Sequence, residues 1–289
     1  MYPVQSLPRP VALVLSGGVA LGSIQVGMLR AILASGIRPD LLVGSSAGAL
    51  NAAFIGQGFN ESRVARLAEI WIGLKRSDVF GHFGLRKIFN IISAGAALAS
   101  PEALHKLIAT HVPSSFGDLT IPTFITATDY LSGEMVLLSR GNLWDSLLAS
   151  SALPFVFPPV PIEDRYLVDG SISAHVPLLP AQQLGAETLV VLDVGYPCQF
   201  SELPKNYLDR ALHVFSLMLH RQHSGILSAL SSGSTVLYLP SPCPLAVPAY
   251  DFSHAADLIE AGYRVADQFL QQVVIKGPGV YGHPHSHAL

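Results

Sequence analysis

Three short segments carry residue types and spacings that could act together on an ester. The first is Gly44-Ser45-Ser46-Ala47-Gly48, a G-x-S-x-G pattern placed after the apolar run Asp40 to Val43 and before small and apolar residues reaching Ile55. A serine on such a strand-to-helix turn projects its hydroxyl at a helix N-terminus, where the dipole favours a nucleophile and developing negative charge. Gly44 and Gly48 would permit the tight backbone and the close helix approach. The second segment is Ser16-Gly17-Gly18-Val19-Ala20-Leu21-Gly22. Acyl transfer needs fixed donors aimed at a tetrahedral oxyanion, and the backbone N–H groups of Gly17, Gly18 and Val19 are candidates. A phosphate cradle fits this turn less well, because it lacks both G-x-G-x-x-G spacing and a following Gly-Lys-Ser/Thr. The third is Leu167-Val168-Asp169-Gly170-Ser171, an acid at the end of an apolar strand. Asp169 could take a proton from Ser46 if desolvation lifts its pKa above the free value of ~3.9. Each segment alone also has a plain structural reading: a small-residue turn, an ordinary strand-to-helix turn and an Asx turn at Asp-Gly.

The elements needed to position these residues are legible around them. Val11 to Leu15 is a short buried-strand pattern, and Ile24, Met28, Leu29, Ile32 and Leu33 then recur at helical spacing. With the second unit at Asp40 to Ile55, two successive strand–helix units argue for a parallel sheet. From Asn60 to Thr110 the pattern is helical, with Val64, Leu67, Ala68 and Trp71 on one face. Strands are expected at Ile121 to Ala127, Met135 to Leu138, Tyr166 to Asp169, Thr188 to Val194 and, as the last, Val236 to Leu239. The pair bracketing Ser132-Gly133 reads as an antiparallel hairpin. Helices over Leu208 to Leu230 and Ala255 to Val274 complete an α/β sandwich. The expected organisation is one domain over residues 8–275 and a flexible His- and Pro-rich tail over 276–289.

Composition narrows the class of protein. Half of the 289 residues are hydrophobic and 13% are charged, with a mean hydropathy of +0.43. Such a chain is too apolar for a disordered protein. A net charge of −3 and the lack of any Lys/Arg run exclude an electrostatic nucleic-acid binder. Cys198 and Cys243 are too few for a disulfide framework and read as free thiols or one incidental bridge. Met1 to Pro10 has no apolar h-region and does not read as a signal peptide. No stretch reaches the roughly 20 apolar residues of a spanning helix. A cytoplasmic location is expected, with peripheral membrane contact compatible with it, and the oligomeric state stays open.

Taken together, the segments resemble the patatin-like phospholipase family. The likeness is carried by the glycine turn with Gln25-Val-Gly-Met-Leu29, by Gly44-Ser-Ser-Ala-Gly-Ala-Leu-Asn51, by Thr126-Ala-Thr-Asp-Tyr130 and by Ala149-Ser-Ser-Ala-Leu-Pro154 with Phe157-Pro-Pro159. Val168-Asp-Gly170 through Val176-Pro177 and Leu184-Gly-Ala186 continue it. The resemblance implies a three-layer α/β/α sandwich with a mainly parallel central sheet. It implies hydrolysis of lipid acyl esters (phospholipase A, lysophospholipase or carboxylesterase type) by a Ser46–Asp169 dyad through an acyl-enzyme, with no cofactor and no metal. Gly17 to Val19 would hold the oxyanion, Gly44 and Gly48 would shape the elbow, and Gly170 and His175 would be accessory. The implied partner is a lipid acyl-ester substrate. The high mean hydropathy adds the expectation that apolar helices around Ile88 to Ala99 shape an acyl channel or dip into lipid.

Departures from the family pattern define what the structure must answer. Val19 and Leu21 stand where the family's turn commonly carries a glycine and an arginine. A valine keeps an inward N–H without strain only at negative φ. Ser171, where the family often has Gly or Ala, keeps a small residue. His175 stands where the family usually has asparagine, and it is either a hydrogen-bond anchor for the Asp169 loop or an extra base near Ser46. The remaining histidines, among them His220, His223, His283, His285 and His287, read as surface or tail residues without a metal role. Trp71 and Trp144 read as core or substrate-channel packing. The competing reading is a catalytically weakened lipid-binding or scaffold protein that retains the fold.

Overall fold

The computed structural model describes residues 6–81, 99–196, 198, 207–221, 227, 230 and 233–284. The expected channel segment Ile88 to Ala99 lies outside these except for Ala99, as do His223, His285 and His287. β1 (Val11–Leu15) leads through a 3-10 turn at Val19–Leu21 into α1 (Gly22–Ala34), and β2 (Leu41–Ser45) leads into α2 (Ala47–Gly56). All five residues of each strand are buried, the signature of parallel strands covered on both faces. β1 and β2 pair in parallel with Leu15 opposite Gly44, so the two glycine turns emerge side by side.

α3 (Glu61–Gly73), α4 (Arg76–Phe80) and α5 (Glu102–His111) follow. Asn60 caps α3 by accepting the Arg63 N–H at 3.0 Å, and Val64, Leu67 and Trp71 form its buried stripe. The chain continues through β3 (Thr123–Asp129), β4 (Met135–Leu138), α6 (Leu143–Ser150), β5 (Val160–Ile162), β6 (Arg165–Asp169), α7 (Ser171–Ala174) and α8 (Leu178–Gln183). β7 (Thr188–Leu192), α9 (Tyr207–Arg221), β8 (Thr235–Tyr238), α10 (Ala255–Gln272) and β9 (Gly279–Tyr281) complete it.

The strands form one sheet in the order β5-β6-β3-β2-β1-β7-β8-β9, with β4 also on β3. Its centre, from β3 through β2, β1 and β7 to β8 and β9, is parallel; β4, β5 and β6 join antiparallel. Side chains alternate between two cores: Val11, Leu13 and Leu15 face the helices α1, α2, α3 and α10, whereas Ala12 and Val14 face Leu178 and Ala181 of α8. The result is the α/β/α sandwich with a mainly parallel sheet.

Two strands depart from the sequence reading. β9 pairs with β8 inside the segment expected to be a loose tail, so Val236 to Leu239 does not hold the last strand. Its Gly279-Val-Tyr281 is too short to show a period of two. β5 is Val160-Pro161-Ile162, and its proline hid it, since proline is confined to sheet edges such as this one. Cys198 and Cys243 are free thiols that contact one another. Among the described residues no helix is long and apolar enough to cross a membrane.

Candidate active site

β3 is the ruler on which the site is measured. β2 and β4 both pair with its Ile125 and Thr126, and β4 and β6 both pair with its Ala127 and Thr128. A strand has two edges, so β2 and β6 share one edge and β4 occupies the other. Ser45 of β2 lies opposite Thr126 and Asp169 of β6 opposite Ala127. The two strands therefore abut end to end, and the residues just past and at their ends, Ser46 and Asp169, meet.

Ser46 sits at φ 52°, ψ −123°, a conformation that L-residues avoid, directly before α2. Its neighbours make the turn possible: a Cβ on Gly44 would stand 2.5 Å from the Gly48 carbonyl oxygen, and one on Gly48 would stand 2.5 Å from that of Ser16. The Ser46 hydroxyl donates to Asp169 Oδ2 at 2.7 Å. Asp169 is fully buried, and its Oδ1 accepts the Ser171 N–H at 2.8 Å. Burial pushes its carboxyl up from 3.8 to about 6, against the hydrogen bonds from Ser46 and Ser171 that pull it down. Gly170 continues the loop, its N–H donating to the Ser150 carbonyl at 3.2 Å.

The glycine turn lies beside this pair. Gly17 donates its N–H to the His175 carbonyl at 3.1 Å, so that donor is already used. The N–H groups of Gly18 and Val19 have no partner among the described residues. Val19 takes φ 51°, not the negative φ that a valine prefers. The backbone thus adopts the shape a glycine would take there, and the β-branched side chain bears a strain of roughly 1–3 kcal/mol. The next residues hold it in place: Ala20 donates to the Ala249 carbonyl at 2.8 Å and Leu21 to that of Gly18 at 3.0 Å.

Several bracing residues were not assigned a role from sequence. The Ser150 hydroxyl accepts the Ser46 N–H at 2.9 Å. Gln25 donates to the carbonyls of Ser16 and Leu192, Asn51 donates to the Gln25 side-chain oxygen, and Trp71 Nε1 donates to Asn51 Oδ1 at 2.8 Å. This buried chain ties the Ser16–Gly17 turn through α1 and α2 to α3. Gln25, Asn51 and Ser150 all lie in the motif segments, and a buried polar residue amid apolar ones was the available signal. His175 is buried, with its ring Nδ1 3.2 Å from where a Cβ on Gly17 would be.

Two cavities meet at the serine. The larger, about 800 Å³ including its open mouth, is lined by apolar side chains such as Leu67, Trp71, Phe80, Leu104, Ile108 and Phe157. It is roofed by α3, α4 and α5, the inserted helical block. The smaller, about 500 Å³, borders Gly18, Leu21, His175, Phe215, Leu219 and Tyr250. Ser46, Val19 and Leu153 border both. Trp71 therefore packs along the channel. Trp144 is not among the lining residues, but donates its Nε1 at 2.9 Å to the carbonyl of Val112, which is.

The family model for patatin-like phospholipases matches residues 13–181. The chain belongs to the patatin-like phospholipase family. Patatin-like phospholipase domain-containing protein 6 of Homo sapiens is 29% identical over 187 residues, covering 64% of this chain and 13% of the relative. Neuropathy target esterase sws of Drosophila melanogaster is 31% identical over 187 residues, again 64% of this chain and 13% of the relative. The chain thus spans a small part of these curated relatives. Among solved structures, VipD from Legionella pneumophila superimposes with a TM-score of 0.48 at 15% identity, over 91% of this chain and 67% of that one. Within the patatin-like region fall Gly17, Gly18, Val19, Gly44, Ser46, Gly48, Asp169, Gly170 and His175. Phe215, Ala249 and Tyr250 of the smaller cavity lie beyond it.

Proposed function

We propose that this patatin-like protein hydrolyses lipid acyl esters with Ser46 as nucleophile and Asp169 as the proton acceptor. One observation carries the reading: a strained serine whose hydroxyl donates at 2.7 Å to a fully buried carboxylate, at the mouth of an apolar cavity. A carboxyl poised near 6 is ionised at neutral pH yet is a far better base than a solvated one.

In the proposed cycle the Ser46 oxygen attacks the ester carbonyl carbon as its proton passes to Asp169. The tetrahedral oxyanion is held by the Gly18 and Val19 N–H groups, beside the N-terminus of α2. Collapse expels the alcohol, which takes the proton from Asp169, and leaves the acyl chain on Ser46 in the large cavity. Water then repeats the sequence, giving its proton to Asp169 and releasing the fatty acid. These steps draw on the chain's own groups and water. His175 serves as an anchor: its carbonyl ties the Asp169 loop to the glycine turn. Peripheral contact with a lipid surface belongs to the same proposal, since the substrate resides there.

A fluorophosphonate probe tests the reading, because covalent capture needs an activated serine but not the right lipid. Labelling that disappears in Ser46→Ala supports it. Folded wild-type protein that takes up no probe would favour the weakened lipid-binding reading, for which the strain at Val19 is the one supporting observation.

A further inference from the structure

The two cavities divide the work of holding an ester. A carbonyl carbon at Ser46 carries its acyl chain and its alkoxy group in diverging directions, and Ser46 lies on the boundary that both cavities share. The larger, apolar cavity takes the acyl chain. The smaller must then receive the departing alcohol, and its walls state what kind of alcohol fits.

Leu21, Phe215, Leu219 and Ala249 make those walls largely apolar, and Ser171, Ser216, His175 and Tyr250 supply hydroxyl and imidazole groups. Among the described residues, neither lysine nor arginine borders it. Ser171 is also the residue whose N–H holds Asp169 Oδ1, so the cavity lies close to the buried carboxylate. Against these walls an anionic alcohol would lose its hydration without gaining a cation from any described residue, and would face the charge of Asp169. A neutral polyol loses less, and its hydroxyls can bond to serine hydroxyls.

We infer that the smaller cavity is a leaving-group subsite for uncharged alcohols, so that the chain prefers acyl esters of glycerol-like alcohols to esters whose alcohol bears a phosphate. This rests on the hydrolase reading above. Specificity of this kind is a difference between two substrates, built as much from what the site rejects as from what it binds.

The test compares kcat/KM for three esters of one acyl chain, oleoyl: 1-oleoylglycerol, 1-oleoyl lysophosphatidate and p-nitrophenyl oleate, each presented as dilute monomer. The expected result is at least a tenfold preference for the glycerol ester over the lysophosphatidate. Ser216→Arg, which places a cation in the half-exposed wall, should shift that ratio toward lysophosphatidate by tenfold or more, with Ser216→Lys as the second variant should the first not fold. Equal or better hydrolysis of lysophosphatidate by the wild type overturns the inference, as does a ratio that neither folded variant moves. Cleavage of p-nitrophenyl oleate alone also overturns it while leaving the hydrolase reading intact. Loss of all three activities together with fluorophosphonate labelling removes both.

Discussion

Asp169→Asn takes the charge from a carboxyl that is fully buried while keeping an oxygen to accept the Ser171 N–H. Burial raises this carboxyl from 3.8 to about 6 in the folded protein. Between those values the native state holds a proton that the unfolded chain has released. Wild-type stability is therefore greatest, as far as this group is concerned, below pH 3.8, and falls as pH rises through about 6. The rise from 3.8 to about 6 makes the ionised carboxylate cost about 3 kcal/mol at pH 7, at ~1.36 kcal/mol for each tenfold change in proton affinity. Asparagine never ionises, so the variant is expected to be the more stable protein at pH 7, by up to about 3 kcal/mol. The gap should close as the pH approaches 4. Urea denaturation at pH 7, 5.5 and 4 measures it.

The same substitution removes the proposed base, and kcat/KM should drop by roughly 10²–10⁴-fold. Wild-type kcat/KM should rise with pH about a single group titrating near 6, leaving about a tenth of the plateau at pH 5. A variant that is less stable than wild type by a pH-independent amount would refute the claim that Asp169 is held charged against its environment. Wild-type activity that stays flat down to pH 4.5 would refute its role as the base.

Three further outcomes are expected. Because Ser46 is held at φ 52°, ψ −123°, Ser46→Gly should be more stable than Ser46→Ala by about 1 kcal/mol, the strain relieved outweighing the greater entropy of glycine; both should be inactive, and thermal melts compare them. His175→Asn should retain at least a third of wild-type turnover, because the bond to Gly17 uses the main-chain carbonyl; complete loss of turnover in folded protein would revive the imidazole as a base. Leu107→Trp, in the wall of the large cavity, should lower kcat/KM for p-nitrophenyl palmitate by about tenfold or more, the cost of ~1.4 kcal/mol of lost packing, while leaving the butyrate ester within twofold.

What could be read from the sequence is what local backbone chemistry dictates. Gly44 and Gly48 bracket Ser46 because no Cβ fits at either place, and that demand is written within five residues. The same holds for the glycine turn and for the buried strands that precede both. Ser150 was not legible as a partner of Ser46, since its hydroxyl reaches the elbow from another element. Nor was the hold of Ala249 on the strained turn, which comes from a loop between β8 and α10. Val19 shows the limit of a residue-by-residue rule: valine resists positive φ, yet bonds on either side impose it.

The meeting of Ser46 with Asp169 depends on a feature that spacing does not encode. An acid at the carboxyl end of a strand suggests the usual crevice beyond a parallel sheet, where strand ends lie side by side. β6 is instead antiparallel to β3 and lies on the edge that β2 leaves vacant. If β6 ran parallel there, its amino end would face the serine and Asp169 would sit at the far end of the strand. β3 makes the arrangement possible by outlasting its neighbour: its seven residues give β2 a place up to Thr126 and β6 a place from Ala127. The contact between Ser46 and Asp169 is thus a consequence of strand length and direction. Lengthening β2 by two residues would occupy the positions on β3 that β6 needs, and would displace the acid while leaving every motif residue in the sequence.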